Sequence, residues 1–169
     1  MKIYFSHGKE TGPYGRKIKV LSRVAESLGL ETISIDYRES LDPDFRAQKL
    51  IEILKDENQE VLLVGSSMGG YVSLVAAGQA PVKGLFLLAP AIYLEGYAQQ
   101  EFDQPFKNTE IFHGWADDVV PASHSVRYAT GMKCSLNLLQ ADHGLSEVHI
   151  LEVIENRFRV YLENILKSK

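Results

Sequence analysis

Cysteine is nearly absent. Cys134 is the single one in 169 residues, so no disulfide can close within the chain, which fits a reducing compartment. Long hydrophobic runs are missing too: none approaches the about 20 residues that cross a bilayer. The first residues, Lys2-Ile3-Tyr4-Phe5-Ser6, read as a strand and not as a cleavable leader. The expected location is therefore the cytoplasm. Positive charge is in deficit, with 18 Lys and Arg against 22 Asp and Glu, a net charge of −4 and a pI near 5.7. No basic stripe exists to meet phosphates, so neither nucleic acid nor an anionic membrane is an expected partner. The first strand lacks the G-x-G-x-x-G of a dinucleotide site, and no G-x-x-x-x-G-K-[ST] occurs anywhere. Among five histidines there is no H-E-x-x-H, so no metal is expected, and no cofactor either. Repeats, linkers and low-complexity segments are also lacking. The length suits one domain over 1–169, and a hydrophobic content of 45% suits an ordinary globule with one core.

What is present centres on Val61-Leu62-Leu63-Val64-Gly65-Ser66-Ser67-Met68-Gly69-Gly70. An apolar run leads into G-x-S-x-G, and Tyr71 to Ala77 continues as a helix. This is the spacing of a nucleophile elbow. A serine hydroxyl is a weak nucleophile and must stand clear of the backbone for a base and a substrate to reach it. A sharp strand-to-helix turn achieves that by straining the serine backbone. The turn also crowds the residues two before and two after, which glycine at 65 and 69 relieves. The free N–H groups of the following helix then face the reacting atom.

Around the elbow, strands alternate with helices. Ile3 to Ser6 is the first strand. Ile18, Leu21, Val24, Ala25 and Leu28 recur at helical spacing, with Gly29 as the C-terminal cap. Glu31 to Asp36 is the second strand. Asp42-Pro43 opens a helix with Ala47, Leu50, Ile51 and Leu54 on its buried face. The elbow strand is third, Gly84 to Ala89 the fourth, Glu110 to His113 the fifth and Ser135 to Gln140 the sixth. Ala122 to Thr130 is a short helix. A long amphipathic helix buries Leu151, Ile154, Phe158, Tyr161 and Ile165. The pattern predicts a mostly parallel sheet of about six strands with helices on both faces, a three-layer sandwich. Ligands bind beyond the C-terminal ends of such strands.

Two further segments stand at those ends: His113-Gly114-Trp115-Ala116-Asp117-Asp118-Val119-Val120-Pro121 after strand five, and Asp142-His143-Gly144 after strand six. With Ser67 they give the chain order Ser, Asp, His, separated by 50 and then 26 residues. Together with the His7-Gly8 turn and the Gly-Ser-Ser-Met-Gly-Gly elbow, the segments His-Gly-x-x-Asp-x-x-Val-Pro and Asp-His-Gly resemble the α/β-hydrolase superfamily. Within it the chain is similar to the compact lidless bacterial esterases of the YqiA type. The resemblance spans nearly the whole chain and implies the α/β-hydrolase fold with no cap domain.

It also implies roles. Ser67 would attack an acyl carbonyl, and His143 would take and return the proton. Asp117 would orient the ring, since it fills the family's position, with Asp118 as its competitor. The backbone N–H groups of Met68 and Lys9 would hold the oxyanion. By the same resemblance His7 supports its loop and His113 is structural. A plain reading of Asp117 and Asp118 is a pair of loop carboxylates, one capping the next helix. Glu10 reads as an exposed charge. His124 and His149 fall in helices without a motif, and Cys134 reads as a small, partly buried residue.

The gap from Pro90 to Thr109 is too short for a cap domain. Its Tyr93, Tyr97, Phe102 and Phe106 would wall a shallow cleft, with Trp115 and Tyr14 at the rim, or else simply pack the segment onto the sheet. The expected substrate is a small-molecule acyl ester or thioester. A binding module with an idle triad, or an acyltransferase using the same residues, are the alternatives. Nothing in the sequence sets the oligomeric state.

Overall fold

The structure, a computed structural model, describes residues 1–168. Eleven elements follow in order: β1 (Lys2–Ser6), α1 (Arg16–Ser27), β2 (Glu31–Ile35), α2 (Pro43–Lys55), β3 (Val61–Ser66), α3 (Met68–Ala77), β4 (Gly84–Leu88), β5 (Thr109–Gly114), α4 (Ala122–Met132), β6 (Ser135–Leu139) and α5 (Val148–Lys167). The six strands form one sheet in the order β2-β1-β3-β4-β5-β6, and every neighbouring pair is parallel. The expected strands and helices are all present, with ends displaced by a few residues. β2 stops at Ile35 because the Asp36 carboxylate accepts the Arg38 amide at 3.0 Å and turns the chain.

Side chains alternate across the sheet, as the two-residue period of a strand requires. Leu62 and Val64 of β3 join Ile3, Phe5, Phe86 and Phe112 beneath α1 and α5. Val61 and Leu63 join Tyr4, Leu85, Leu87 and Ile111 on the opposite face, with α2, α3 and α4. Phe86 meets Phe158 at 4.7 Å and Tyr161 at 5.2 Å between ring centroids, which ties α5 to the sheet centre. Full burial of such side chains contributes about 1.5–3 kcal/mol each.

α3 differs from the other helices in having no polar face: Met68 to Leu74, Ala76 and Ala77 are all buried. A helix apolar all round belongs inside a protein. α2 covers it from outside. The Asp42 side chain caps α2 by accepting the Asp44 amide at 2.8 Å, and Pro43 fills its first turn.

Residues 89–108 contain no helix or strand and form no cap. They are fastened from below. The Tyr71 hydroxyl, on α3, donates to Asp44 and accepts the Gln99 amide at 3.0 Å, while Asp44 accepts the Ala98 amide at 3.1 Å. Tyr97 packs edge-on against Tyr71 at 4.7 Å, and Phe102 lies 5.6 Å from Tyr93 and 6.1 Å from Tyr128. Parallel pairing puts all six C-terminal strand ends on one edge.

Candidate active site

The elbow is built as its sequence requires. Ser67 sits at φ 55°, ψ −121°, a backbone region that costs a non-glycine residue on the order of 1–3 kcal/mol. Backbone hydrogen bonds hold it there. Its N–H donates to the Leu88 carbonyl at 2.9 Å, and its own carbonyl accepts from Gly70 at 2.8 Å and Ala91 at 2.9 Å. A Cβ on Gly65 would collide with the Gly69 carbonyl, and one on Gly69 with the Ser6 carbonyl, so both positions exclude side chains.

His143 comes from the turn after β6. The Asp142 carboxylate accepts the Gly144 amide at 2.8 Å, which shapes that turn. Two cations from the first turn of α1 hold it from outside: Lys17 donates to the Gly144 carbonyl at 2.5 Å and Arg16 to the Ser146 carbonyl at 3.1 Å. Burial lowers the Lys17 ammonium pKa, against the opposing pull of Asp142 and Asp117. The result is an imidazole between two partners. Its Nε2 is 2.9 Å from Ser67 Oγ, and its Nδ1 is 2.7 Å from Asp117 Oδ2. A carboxylate can only accept, so Nδ1 carries the hydrogen. In the neutral ring Nε2 then accepts from the serine hydroxyl.

Asp117 is saturated with donors. Oδ1 accepts the Val119 amide at 2.9 Å and the Val120 amide at 2.8 Å, Oδ2 accepts from His143 at 2.7 Å, and His113 Nε2 lies 3.0 Å from Oδ2. Burial alone would raise its pKa. The Val120 amide, His143 and the Val119 amide outweigh burial and hold it below the usual value. His113 is fully buried. Its Nε2 also lies 2.9 Å from the Val120 carbonyl and must donate, which leaves Nδ1 to accept from Ser125 at 2.7 Å. Burial pushes its pKa down, so it stays neutral. Asp118 is exposed and has no hydrogen bond or ion pair among the described residues.

The loop after β1 lies against Ser67: a Cβ on Gly8 would come 3.5 Å from Ser67 Cβ. Met68 opens α3, so its N–H has no acceptor within the helix. The Lys9 N–H makes no backbone hydrogen bond among the described residues. His7 faces away from the triad. The Tyr37 amide donates to its Nε2 at 3.0 Å, so Nδ1 donates to the Gly8 carbonyl at 2.8 Å.

The aromatics expected around a substrate make no hydrogen bond to this line of side chains. Tyr14 is 73% exposed and Trp115 64% exposed, both on loops at the sheet edge. Tyr97 packs on Tyr71, and Tyr93 packs on Phe102 and on His124 at 5.9 Å, with the Arg127 guanidinium 4.0 Å above its ring. A cavity of about 190 Å³ lies between α3 and residues 99–106 and includes no triad residue. His124 donates to the Ile92 carbonyl at 2.7 Å, and His149 is an exposed surface group. Glu10 is exposed. Burial pushes the Cys134 thiol up to about 11, far from a reactive thiolate. No cluster of three or more His, Cys, Asp or Glu side chains suited to a metal occurs among the described residues. Nor is any described helix long and apolar enough to cross a membrane.

Three residues that support the site escaped the sequence reading: Ser125, Lys17 and Arg46. Ser125 and Lys17 carry no local signal. Arg46 carried one, since it precedes Leu50 and Leu54 by one and two helical turns and so occupies their buried stripe.

A model of the family described as "Uncharacterised protein family (UPF0227)" matches residues 1–115, a span that includes the elbow and the β1 loop. No curated protein matches the chain. Solved structures do. A Xanthomonas campestris pv. campestris protein described within the alpha/beta hydrolase superfamily is 28% identical over 96% of this chain and 97% of that one, with a TM-score of 0.85. Est1E from Butyrivibrio proteoclasticus is 17% identical over 98% and 88%, with a TM-score of 0.79. A second Xanthomonas campestris protein, described as an a/b serine hydrolase without lid, is 19% identical over 99% and 81%, with a TM-score of 0.74. The two more distant likenesses concern the fold alone, and of the three only the last is described as lacking a lid.

Proposed function

The chain belongs to the UPF0227 family and has the fold of lidless α/β hydrolases, and from that premise we propose that it is a serine hydrolase cleaving small carboxylic esters or thioesters. One observation carries the reading: the unbroken line from Ser67 Oγ through His143, at 2.9 Å, to Asp117, at 2.7 Å. In this reading Ser67 Oγ attacks the acyl carbonyl as Nε2 takes its proton. Asp117, kept ionised by its three hydrogen-bond donors, favours the imidazolium that results. The oxyanion is held by the Met68 and Lys9 amides, each such donor being worth about 2.7–4 kcal/mol of barrier. As the carbonyl re-forms, Nε2–H protonates the departing alkoxide or thiolate, leaving an acyl-Ser67 ester. Water, deprotonated by the same nitrogen, then releases the acid. Tyr14, Trp115, Tyr93 and Tyr97 are the substrate contacts of this proposal. The cytoplasm is its proposed setting.

Hydrolysis of p-nitrophenyl acetate and labelling by a fluorophosphonate test it. Wild type should turn over the ester and label at Ser67, and Ser67→Ala should do neither. Equal rates from the two proteins, with no label, would overturn the reading. A series of acyl chain lengths then locates the preferred acid.

A further inference from the structure

Arg46 of α2 is 0% exposed, the largest fully buried side chain described. A guanidinium stays charged under all ordinary conditions, and an unpaired buried charge is expensive. Yet no carboxylate among the described residues forms an ion pair with it. Its partners are three carbonyls: Nε donates to Ser40 at 2.7 Å, Nη1 to Gly8 at 3.2 Å and Nη2 to Lys9 at 3.2 Å. The Tyr37 ring centroid lies 5.7 Å away. A buried cation is thus aimed at two consecutive peptide groups of the loop that touches Ser67.

The direction of those peptides matters. In a trans peptide the carbonyl and the N–H of one plane point oppositely. The Gly8 carbonyl belongs to the plane that carries the Lys9 N–H. It is drawn to one side by Arg46, by His7 Nδ1 at 2.8 Å and by Thr11 Oγ1 at 3.4 Å. The Lys9 N–H must therefore project to the other side. The second arm of the fork fixes the next plane as well. A planar, rigid fork can set two adjacent planes at once, whereas a lysine's single ammonium cannot. α2 also packs on α3, where the Met68 N–H begins, and Asp44 of α2 is bonded to Tyr71 of α3. Arg46 thereby ties the β1 loop to the elbow helix.

We propose that Arg46 is a positioning residue for the oxyanion hole, orienting the Lys9 amide through the Gly8 and Lys9 carbonyls and lending its unpaired charge to the oxyanion formed at Ser67. This rests on the hydrolase reading above. In the resting protein the guanidinium hydrogen-bonds only to carbonyls, and the carboxylates of Glu39 and Asp36 act on it only from beyond ion-pair distance. The tetrahedral intermediate supplies the missing negative charge, in surroundings where charges are weakly screened. The interaction therefore grows on the way to the transition state and belongs in kcat more than in KM.

Arg46→Met and Arg46→Lys test this by kcat and KM on p-nitrophenyl acetate, by melting temperature, and by two reversible inhibitors. One is an aryl trifluoromethyl ketone, which forms an anionic adduct with the serine. The other is the corresponding alcohol, which cannot. The expected result is a fall in kcat of about 10²-fold for Met and about tenfold for Lys, less than or equal to the loss of a direct donor. KM and alcohol affinity should hold, and ketone affinity should fall in step with kcat. Folded variants that keep wild-type kcat, or that lose both inhibitors equally, overturn the inference. If Arg46→Met does not fold, Arg46→Lys decides by the same readouts. A wild-type protein that fluorophosphonate leaves unlabelled overturns the hydrolase reading and this inference with it. A labelled wild type with an unaffected Arg46→Lys overturns this inference alone.

Discussion

Two connections leave neighbouring strands at the same edge and are held in opposite ways. Residues 89–108, after β4, are long and are fixed by rings: Tyr97 on Tyr71, and Phe102 between Tyr93 and Tyr128. Residues 115–121, after β5, are short and are fixed around one buried carboxylate by the Val119 and Val120 amides and two imidazoles. Aromatic packing fixes where a segment lies but tolerates small rotations. Hydrogen bonds also fix direction, because they weaken steeply off axis. A group that must steer an imidazole needs the second kind of support, and a segment that must only stay in place can use the first.

The sharpest way to break this contrast is at Asp117. Asp117→Asn should keep the shape of the loop but favour the wrong ring tautomer of His143, with a fall in turnover of about 10³–10⁴-fold. Asp118→Asn, on an exposed side chain, should stay within about twofold. Steady-state rates on p-nitrophenyl acetate compare them, and equal losses would remove Asp117 from its role. Ser125→Ala comes next. It leaves the buried His113 Nδ1 without its donor, at about 1–3 kcal/mol of stability. If direction is what the acid loop supplies, kcat should also fall, by about three- to tenfold. Tyr71→Phe is the matching change beneath the long segment. It should cost about 0.5–1.5 kcal/mol by removing the hydroxyl's bonds to Asp44, which keeps the Ala98 amide, and to the Gln99 amide, and leave kcat nearly unchanged. Denaturant melts and rates read both, and a Tyr71→Phe enzyme slowed tenfold at full stability would erase the distinction.

The smallest effect is one of pH. His113 is held neutral because burial lowers its pKa. The unfolded chain therefore takes up a proton near pH 6.5 before the folded chain does. Stability is complete above that pH and declines as the pH falls through it, by up to about 1.4 kcal/mol one unit lower. His7, also lowered by burial, acts in the same direction. Hydrogen exchange, corrected for its intrinsic rate, should quicken at the Val119 and Val120 amides on going from pH 7.5 to 5.5. The Ala98 and Gln99 amides, with no buried histidine among their partners, should change less.

How far the sequence could be read follows the range of the forces involved. The strands, the helices and the elbow are local patterns, and Val61 to Gly70 announces its own turn. The meeting of Ser67, Asp117 and His143 was legible because each follows a strand of one parallel sheet, which delivers them to one edge. Boundaries moved where a side chain intervened, as at Asp36. The supporting contacts were not legible. Ser125 meets His113, and Lys17 meets Gly144, across separations of 12 and 127 residues that no periodicity encodes. Tyr93 and Tyr97 could be named as aromatic, but only packing shows which faces they spend on Phe102 and Tyr71. Arg46 is the intermediate case, a charge on an apolar stripe whose meaning appears once its carbonyl partners are known.

The backbone of Ser67, at φ 55°, also bears on what this chain could become by mutation. Threonine keeps a hydroxyl but adds a second branch at Cβ, and branched residues at positive φ are true outliers. Cysteine keeps the unbranched shape. The evolutionary neighbourhood of this position thus opens toward a thiol and is closed toward a secondary alcohol, for reasons of backbone sterics that precede any question of reactivity.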